Sequence, residues 1–207
     1  MIPLLEETMK RRTFLSAGGA GLVGLSGLSL GALSLTGCSV TGPKDEPDKA
    51  TKRREIDTGA TDTLNRLYAT ANGARDLGGK ARGILIFPKL LSAGFIVGGE
   101  YGDGVLRSGG ANRGYYRAIS GSIGWQIGAQ SKAFILMFMT QDAYDKFVRS
   151  SGWQVGADAT VALATIGANG QIDTNTAQQP IIAFAMTNAG LMAGLSLEGT
   201  KISRLEL

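Results

Sequence analysis

The sequence predicts an α+β domain: a β-rich, curved, mostly antiparallel and Gly-rich sheet with an N-terminal helix and one short internal helix. Three observations lead there. Residues 60–77 carry apolar side chains at helical spacing. From residue 82 onward, apolar runs of strand length alternate with glycine and polar turn signals. The chain also holds 31 glycines. Outside the leader they recur inside apolar runs, where they suit bulges, bends and close backbone approach rather than disorder.

The elements follow in order. Lys10, Arg11, Arg12, Thr13, Phe14 and Leu15 open an uncharged stretch that runs to Pro43 and contains Leu35-Thr36-Gly37-Cys38. A charged start, an apolar middle and small residues before a cut form a secretory signal. Arg11, Arg12, Phe14 and Leu15 resemble a twin-arginine export motif, and the glycines and serines between residues 18 and 29 dilute the apolar middle as that route tolerates. The stretch could span a bilayer, but Leu35–Cys38 closes it as a lipoprotein processing box would. Glu6 and Glu7 are out of place in a basic leader, so translation is expected to start at Met9.

The resemblance to bacterial lipoproteins implies a diacylglyceryl group on the Cys38 sulfur, cleavage after Gly37 and acylation of the new amino terminus. Two or more acyl chains anchor a protein stably, where one is marginal. Ser39 in place of Asp after the cysteine implies the outer membrane, facing the periplasm. The expected organisation is therefore a removed signal at 1–37, a lipidated Cys38 with a flexible, charge-alternating tether at 38–59, and a domain at 60–207.

In the domain, Leu64, Leu67, Tyr68, Ala71 and Ala74 follow i, i+3, i+4, i+7 spacing, with Gly78-Gly79 as the expected stop. This helix is read as packing on a sheet, or alternatively as lying on a membrane surface. Arg82–Phe87 reads as a strand ended by Pro88, and Ala93–Tyr101 as the next, with Gly102-Asp103-Gly104 as a turn. Val105–Ser108 and Gly114–Ile119 form a hairpin around Gly109–Arg113. Ser122–Gly128 and Lys132–Thr140 continue the series. Asp142–Ser150 is a short helix with Ala143, Phe147 and Tyr144 inward. Strands follow at Ala159–Thr165, Ile181–Met186, Leu191–Leu197 and Ile202–Leu205.

Composition excludes several functions. The formal charge of +4 is too mild to argue for nucleic acid. There is no histidine, which removes Ser-His-Asp and Cys-His catalysis and His-based zinc sites. Cys38 is the sole cysteine, so packing rather than a disulfide must hold the fold. Glu100 with Asp103 is the nearest thing to a carboxylate pair, and nothing raises it to an acid and a base. Gly98–Gly104 lacks the Lys-Ser/Thr ending of a phosphate loop. Asn169, Gly170, Asp173 and Asn175 read as a polar turn whose side chains bond the backbone. No catalytic residue, metal or cofactor is expected. Tyr115, Tyr116, Trp125 and Trp153 read first as core aromatics and second as an amphipathic rim.

Lys80-Ala81-Arg82-Gly83-Ile84-Leu85-Ile86-Phe87-Pro88-Lys89, followed at once by Ala93–Gly104, resembles the SYLF lipid-binding domain of bacterial lipoproteins and eukaryotic actin-patch proteins. Ser122–Gly128, the apolar run Phe134–Thr140 and Asn188–Leu191 fit the same pattern, so the resemblance spans about 60–207. It implies a compact β-rich domain behind a helix, with membrane lipids as partners. Arg66, Arg75, Lys80, Arg82 and Lys89 are the expected lipid-binding residues, because basic heads beside apolar surface hold lipid phosphates. The expected function is a lipid-anchored periplasmic envelope protein that binds lipid or an anionic membrane surface. The alternative is a structural module of the envelope that binds a protein partner and is localised by its anchor.

Overall fold

Helix α1 runs Lys49–Thr70 in the computed structural model, so the charged stretch expected as tether is helical from Lys49 onward. The described residues are 48–93, 97–123, 131–164, 171–187, 190–192 and 198–207. The leader and Cys38 lie outside them. The early start has a simple cause. Ile56 and Ala60 are buried on the same face as Thr63 and Leu67, a spacing of three or four residues that continues one apolar stripe. Ile56 stands alone among charges in the sequence, and a single apolar residue does not announce a helix. The helix also ends early. Ala71 is extended and Gly73 adopts φ +88°, a left-handed conformation that glycine enters without strain. The expected stop, Gly78-Gly79, lies inside a second short helix, α2 (Ala74–Lys80).

The strands follow: β1 (Gly83–Ala93), β2 (Val97–Ser108), β3 (Ala111–Ile123) and β4 (Ser131–Phe138). Helix α3 (Gln141–Arg149) precedes β5 (Trp153–Gln154) and β6 (Ala162–Leu163). The short α4 (Thr174–Ala177) leads to β7 (Ile181–Thr187), β8 (Gly190–Leu191) and β9 (Lys201–Leu205). They make one curled, open sheet in the order β5-β9-β3-β2-β1-β4-β7-β6, with β8 also on β7. The described pairings are antiparallel except β6 with β7. The expected α+β, β-rich class is the class observed.

β4 and β7 are apolar at almost every position because both sheet faces are covered there. Phe134, Leu136 and Phe138 enter one layer with Leu85, Phe87, Leu106 and Ala183. Ala133, Ile135 and Met137 enter the other with Ile86, Val105, Ile182 and Phe184. Helices α1 and α2 cover the second layer through Ile56, Ala60, Leu67 and Leu77. On the first layer α3 contributes Ala143 and Phe147, with Trp153, Val155 and Ile202 beside them. Both layers are built from residues of one compact unit, Lys44–Leu207, which therefore carries its own core.

Two expected breaks are continuous strand. Pro88 does not end β1; the register to both neighbours shifts between residues 86 and 91, and the proline sits in that bulge, where no ladder hydrogen bond is required of it. Gly102-Asp103-Gly104 is the middle of β2. A side chain at Gly104 would strike the Ile86 carbonyl oxygen and the Phe87 ring, and one at Gly102 would strike the Lys89 carbonyl oxygen. These glycines let β1 fold closely over β2 and are not turn residues. The true turn is Gly109-Gly110, both at positive φ, which joins Ser108 to Ala111 in two residues.

Two short helices were not expected as separate elements, α2 and α4. The strand expected at Ala159–Thr165 shrinks to Ala162–Leu163 among the described residues. Residues 124–130, 165–170 and 193–197, on which parts of other expected strands fall, lie outside them. Among the described residues no helix is long and apolar enough to cross a membrane.

Candidate functional site

A groove of about 550 Å³ opens between α1 and the bulged part of β1 and β2. The α1 wall presents Lys52, Glu55, Ile56, Asp62, Thr63 and Arg66, which recur at helical spacing along one flank. The sheet wall presents Pro88, Lys89, Leu91, Tyr101 and Asp103. The floor is thus apolar and the rim carries both signs of charge.

The sheet wall continues as an exposed apolar row. Leu91 pairs with Tyr101 and Tyr101 pairs with Ile119, so the three share a face across β1, β2 and β3. It is the face on which α1 packs, because Tyr101 and buried Val105 stand an even number of residues apart on β2. Leu91 is 36 %, Tyr101 49 % and Ile119 52 % exposed. Elsewhere the same face is buried under Ile56, Ala60 and Leu67.

One ion cluster fastens the groove. Asp103 accepts from Arg117 Nε at 2.6 Å and from Arg117 Nη2 at 2.9 Å, and Lys52 Nζ of α1 lies 2.9 Å from the same carboxylate. Burial would push the Asp103 carboxyl up, but the bonds from Arg117 and Lys52 outweigh it and hold the pKa below its ordinary value. The bond to Asp103 in turn raises that of Arg117. Farther along α1, Asp57 accepts from Asn112 at 2.8 Å and from the Tyr115 hydroxyl at 3.1 Å, while its carbonyl accepts from Arg107 at 2.8 Å. The helix is therefore held to the β2–β3 hairpin by polar bonds as well as by its apolar stripe.

Of the five expected lipid-binding residues, the groove gathers Arg66 and Lys89. Arg75 stacks over the Tyr68 ring at 4.8 Å. Lys80 ends α2. Arg82 precedes β1; its N–H donates to the Phe138 carbonyl and its own carbonyl accepts from the Ser108 hydroxyl. Arg75, Lys80 and Arg82 do not line the groove. Lys52, Ile56, Leu91, Tyr101 and Asp103 were missed, because the helix was expected to begin after Lys52 and the strands to break at Pro88 and Gly102. The visible signal was Asp48 ahead of residues that keep one apolar and one charged side at three- and four-residue spacing.

Other candidates resolve into structure. Glu100 and Asp103 stand on opposite faces of β2, three residues apart. Glu100 pairs with Lys132 at 2.7 Å, so the two carboxylates cannot act as an acid and a base together. Asp173 caps α4, accepting from the N–H of Asn175 and Thr176 at 3.1 and 3.2 Å. Tyr116 and Trp153 are core residues packed around Phe147, and Tyr115 is half-buried against Asp57. Trp125, Asn169 and Gly170, together with Arg11, Arg12, Phe14, Leu15 and Cys38, lie outside the described residues. Among the described residues no group of His, Cys, Asp and Glu could hold a metal.

A curled sheet under an N-terminal helix, with an open groove between them, can now be set beside known proteins. Residues 119–206 match the family model described as "Ysc84: Las17-binding protein actin regulator". That segment, less than half of the chain, is similar to this SYLF family. The chain is also similar to two relatives, both named LAS seventeen-binding protein 3, from Saccharomyces cerevisiae strains YJM789 and ATCC 204508 / S288c. Each is 28 % identical over 130 residues, covering 59 % of this chain. The match spans 28 % of those relatives' length, so most of each relative has no counterpart in it. SYLF domains are binding and regulatory modules. The groove lies largely N-terminal to the matched segment, which begins at Ile119, the last residue of the exposed row.

Proposed function

We propose that this SYLF domain docks on a lipid membrane surface through the α1–β1–β2 groove, while Cys38 anchors the chain in the bacterial outer membrane facing the periplasm. The observation that carries the reading is the exposed row Leu91–Tyr101–Ile119 beside the basic rim of Arg66 and Lys89. A tyrosine with one apolar and one wet side suits the boundary between head groups and acyl chains. Long basic side chains lay their stems on apolar surface and hold their heads to phosphate.

The row is only partly exposed. Covering it gains on the order of 3 kcal/mol, a fraction of what full burial of three such side chains supplies. That is weak for a free protein and sufficient for a tethered one, because an anchor raises the local concentration of the membrane. Ten residues separate Cys38 from Lys49, a span of at most about 40 Å. Lys52, three residues into the helix, already lines the groove. The anchor and the groove mouth are thus within reach of one bilayer surface.

The test is co-sedimentation of residues 44–207, without the anchor, with phospholipid vesicles. Sedimentation that is lost on Tyr101→Ser with Leu91→Ser supports the reading, and failure to sediment with any vesicle composition overturns it. A second reading has one observation in its favour: the family description and the relatives' names both record binding to a protein. On that reading the groove seats a segment of an envelope protein. A photo-crosslinker at position 101 in intact cells separates the two, since a single dominant protein adduct favours the second.

A further inference from the structure

We infer that Lys52 and Arg117 form a seat for the phosphodiester of a membrane phospholipid at the mouth of the groove, with Asp103 holding the two cations in place. The inference rests on the lipid-surface reading and adds a specific polar contact to it. Both cations touch one carboxylate oxygen: Arg117 Nη2 and Lys52 Nζ each lie 2.9 Å from Asp103 Oδ2. Their nitrogens are therefore no more than about 6 Å apart. That is near enough for the two non-bridging oxygens of one phosphate to bond both.

The cations are the part of the clasp that solvent reaches. The Asp103 side chain is 12 % exposed, against 28 % for Lys52 and 36 % for Arg117. A guanidinium carries five N–H donors and an ammonium three. Among the described residues Asp103 takes two of the first set and one of the second. Three and two are left for a ligand. The paired bond from Arg117 Nε and Nη2 also fixes the plane of the guanidinium, so a ligand has little left to order.

The charge suits a monoanion. Lys52, Arg117 and Asp103 together carry a single positive charge. Glu55 and Lys89, exposed on the two walls of the groove, offset each other. A phosphodiester brings one negative charge and neutralises the seat, whereas a phosphomonoester dianion overshoots it. The surroundings suit a lipid. Arg117 and Ile119 stand two residues apart on one face of β3, as Asp103 and Tyr101 do on β2, a step of about 7 Å. A phosphate on the seat thus has the apolar row one step away. A phospholipid fills both positions, since its phosphate is joined through glycerol to acyl chains; a free phosphate ion fills one.

Co-sedimentation of residues 44–207 compares vesicles of phosphatidylcholine with vesicles of digalactosyldiacylglycerol, a bilayer lipid without phosphate. Binding to the phospholipid is expected to be about tenfold tighter, the worth of one charge-assisted contact. Arg117→Gln with Lys52→Gln is expected to abolish that preference, and urea titration verifies that the variant is folded. Lys52→Gln alone, in the first turn of α1, serves where the double variant does not fold and is expected to lower the preference several-fold. The Arg117 Nε–H resonance reads the seat directly. Dihexanoylphosphatidylcholine is expected to shift it further than sodium phosphate does at the same concentration. Equal binding of the parent protein to both vesicles, or a preference that survives in the folded variants, overturns the inference and leaves the lipid-surface reading standing. An equal or larger shift with sodium phosphate assigns the seat to free phosphate and overturns the inference likewise. Binding to neither vesicle overturns both.

Discussion

Lys52 of α1 and Asp103 of β2 meet at 2.9 Å across the mouth of the groove. The contact joins the first turn of the helix to the middle of a long strand, and Arg117 completes the clasp from β3. Among the described residues Asp103 is the acceptor that the two cations share, so the clasp depends on its charge.

Asp103→Asn keeps the shape and removes that charge. At pH 7 the substitution is expected to cost about 1–2 kcal/mol, the value of hydrogen bonds to a charged group discounted for partial exposure. The folded carboxyl titrates below its ordinary value. Its contribution is therefore complete above the unfolded pKa of about 4 and is lost as pH falls through the lower folded value. Urea midpoints of the two proteins should differ most near neutrality and converge in acid.

Gly104→Ala tests the close approach of β1 to β2. The added methyl meets a backbone carbonyl oxygen, that of Ile86, which cannot swing aside as a side chain could, and the Phe87 ring. A loss of about 1–3 kcal/mol is expected, typical of forcing a methyl into a packed core. A melting temperature equal to that of the parent would mean that the two strands do not approach as described.

The sheet was readable because β4 and β7 are apolar on both faces and α3 carries Ala143 and Phe147 at the right spacing. The groove was not, and the reason is specific. Its helix wall begins in a stretch where Ile56 stands alone among alternating charges, and alternating charge reads equally as coil or as a solvated helix flank. Its strand wall contains Pro88, Gly102 and Gly104, which are strong local break signals. Here tertiary pairing overrides them: Pro88 falls in a bulge and the glycines fall where β1 leaves no room for a side chain. Local rules failed where two elements had to approach closely, and that approach makes the site. The basic residues near Lys80 were conspicuous in sequence because they flank an apolar run, yet only Lys89 on β1 and Arg66 on α1 face the groove.

Asp57 offers a test of how α1 is registered on the hairpin. The Tyr115 phenol is pushed up by burial and by its bond to the Asp57 carboxylate. Asp57→Ala should bring it back toward about 10, read as the difference in ultraviolet titration between each protein and its Tyr115→Phe partner. A raised phenol pKa stabilises the fold below the unfolded value and is lost as pH rises through the folded one. The parent should therefore lose stability relative to Tyr115→Phe only above about pH 10. An unchanged titration in Asp57→Ala would place the helix in another register.

Ile119→Ser and Leu67→Ala separate the surface from the core of the same sheet face. Ile119 is 52 % exposed and Leu67 fully buried. Ile119→Ser should therefore change stability by no more than about 0.5 kcal/mol, whereas Leu67→Ala should cost about 2–5 kcal/mol through the cavity it leaves under α1. Vesicle binding should respond in the opposite sense. The serine variant removes one of the three side chains of the proposed membrane contact and should bind several-fold more weakly. The alanine variant, held at a temperature where it is folded, should bind as the parent does. Equal vesicle binding by Ile119→Ser and the parent would show that the exposed row ends at Tyr101, and would confine the lipid contact to the groove itself.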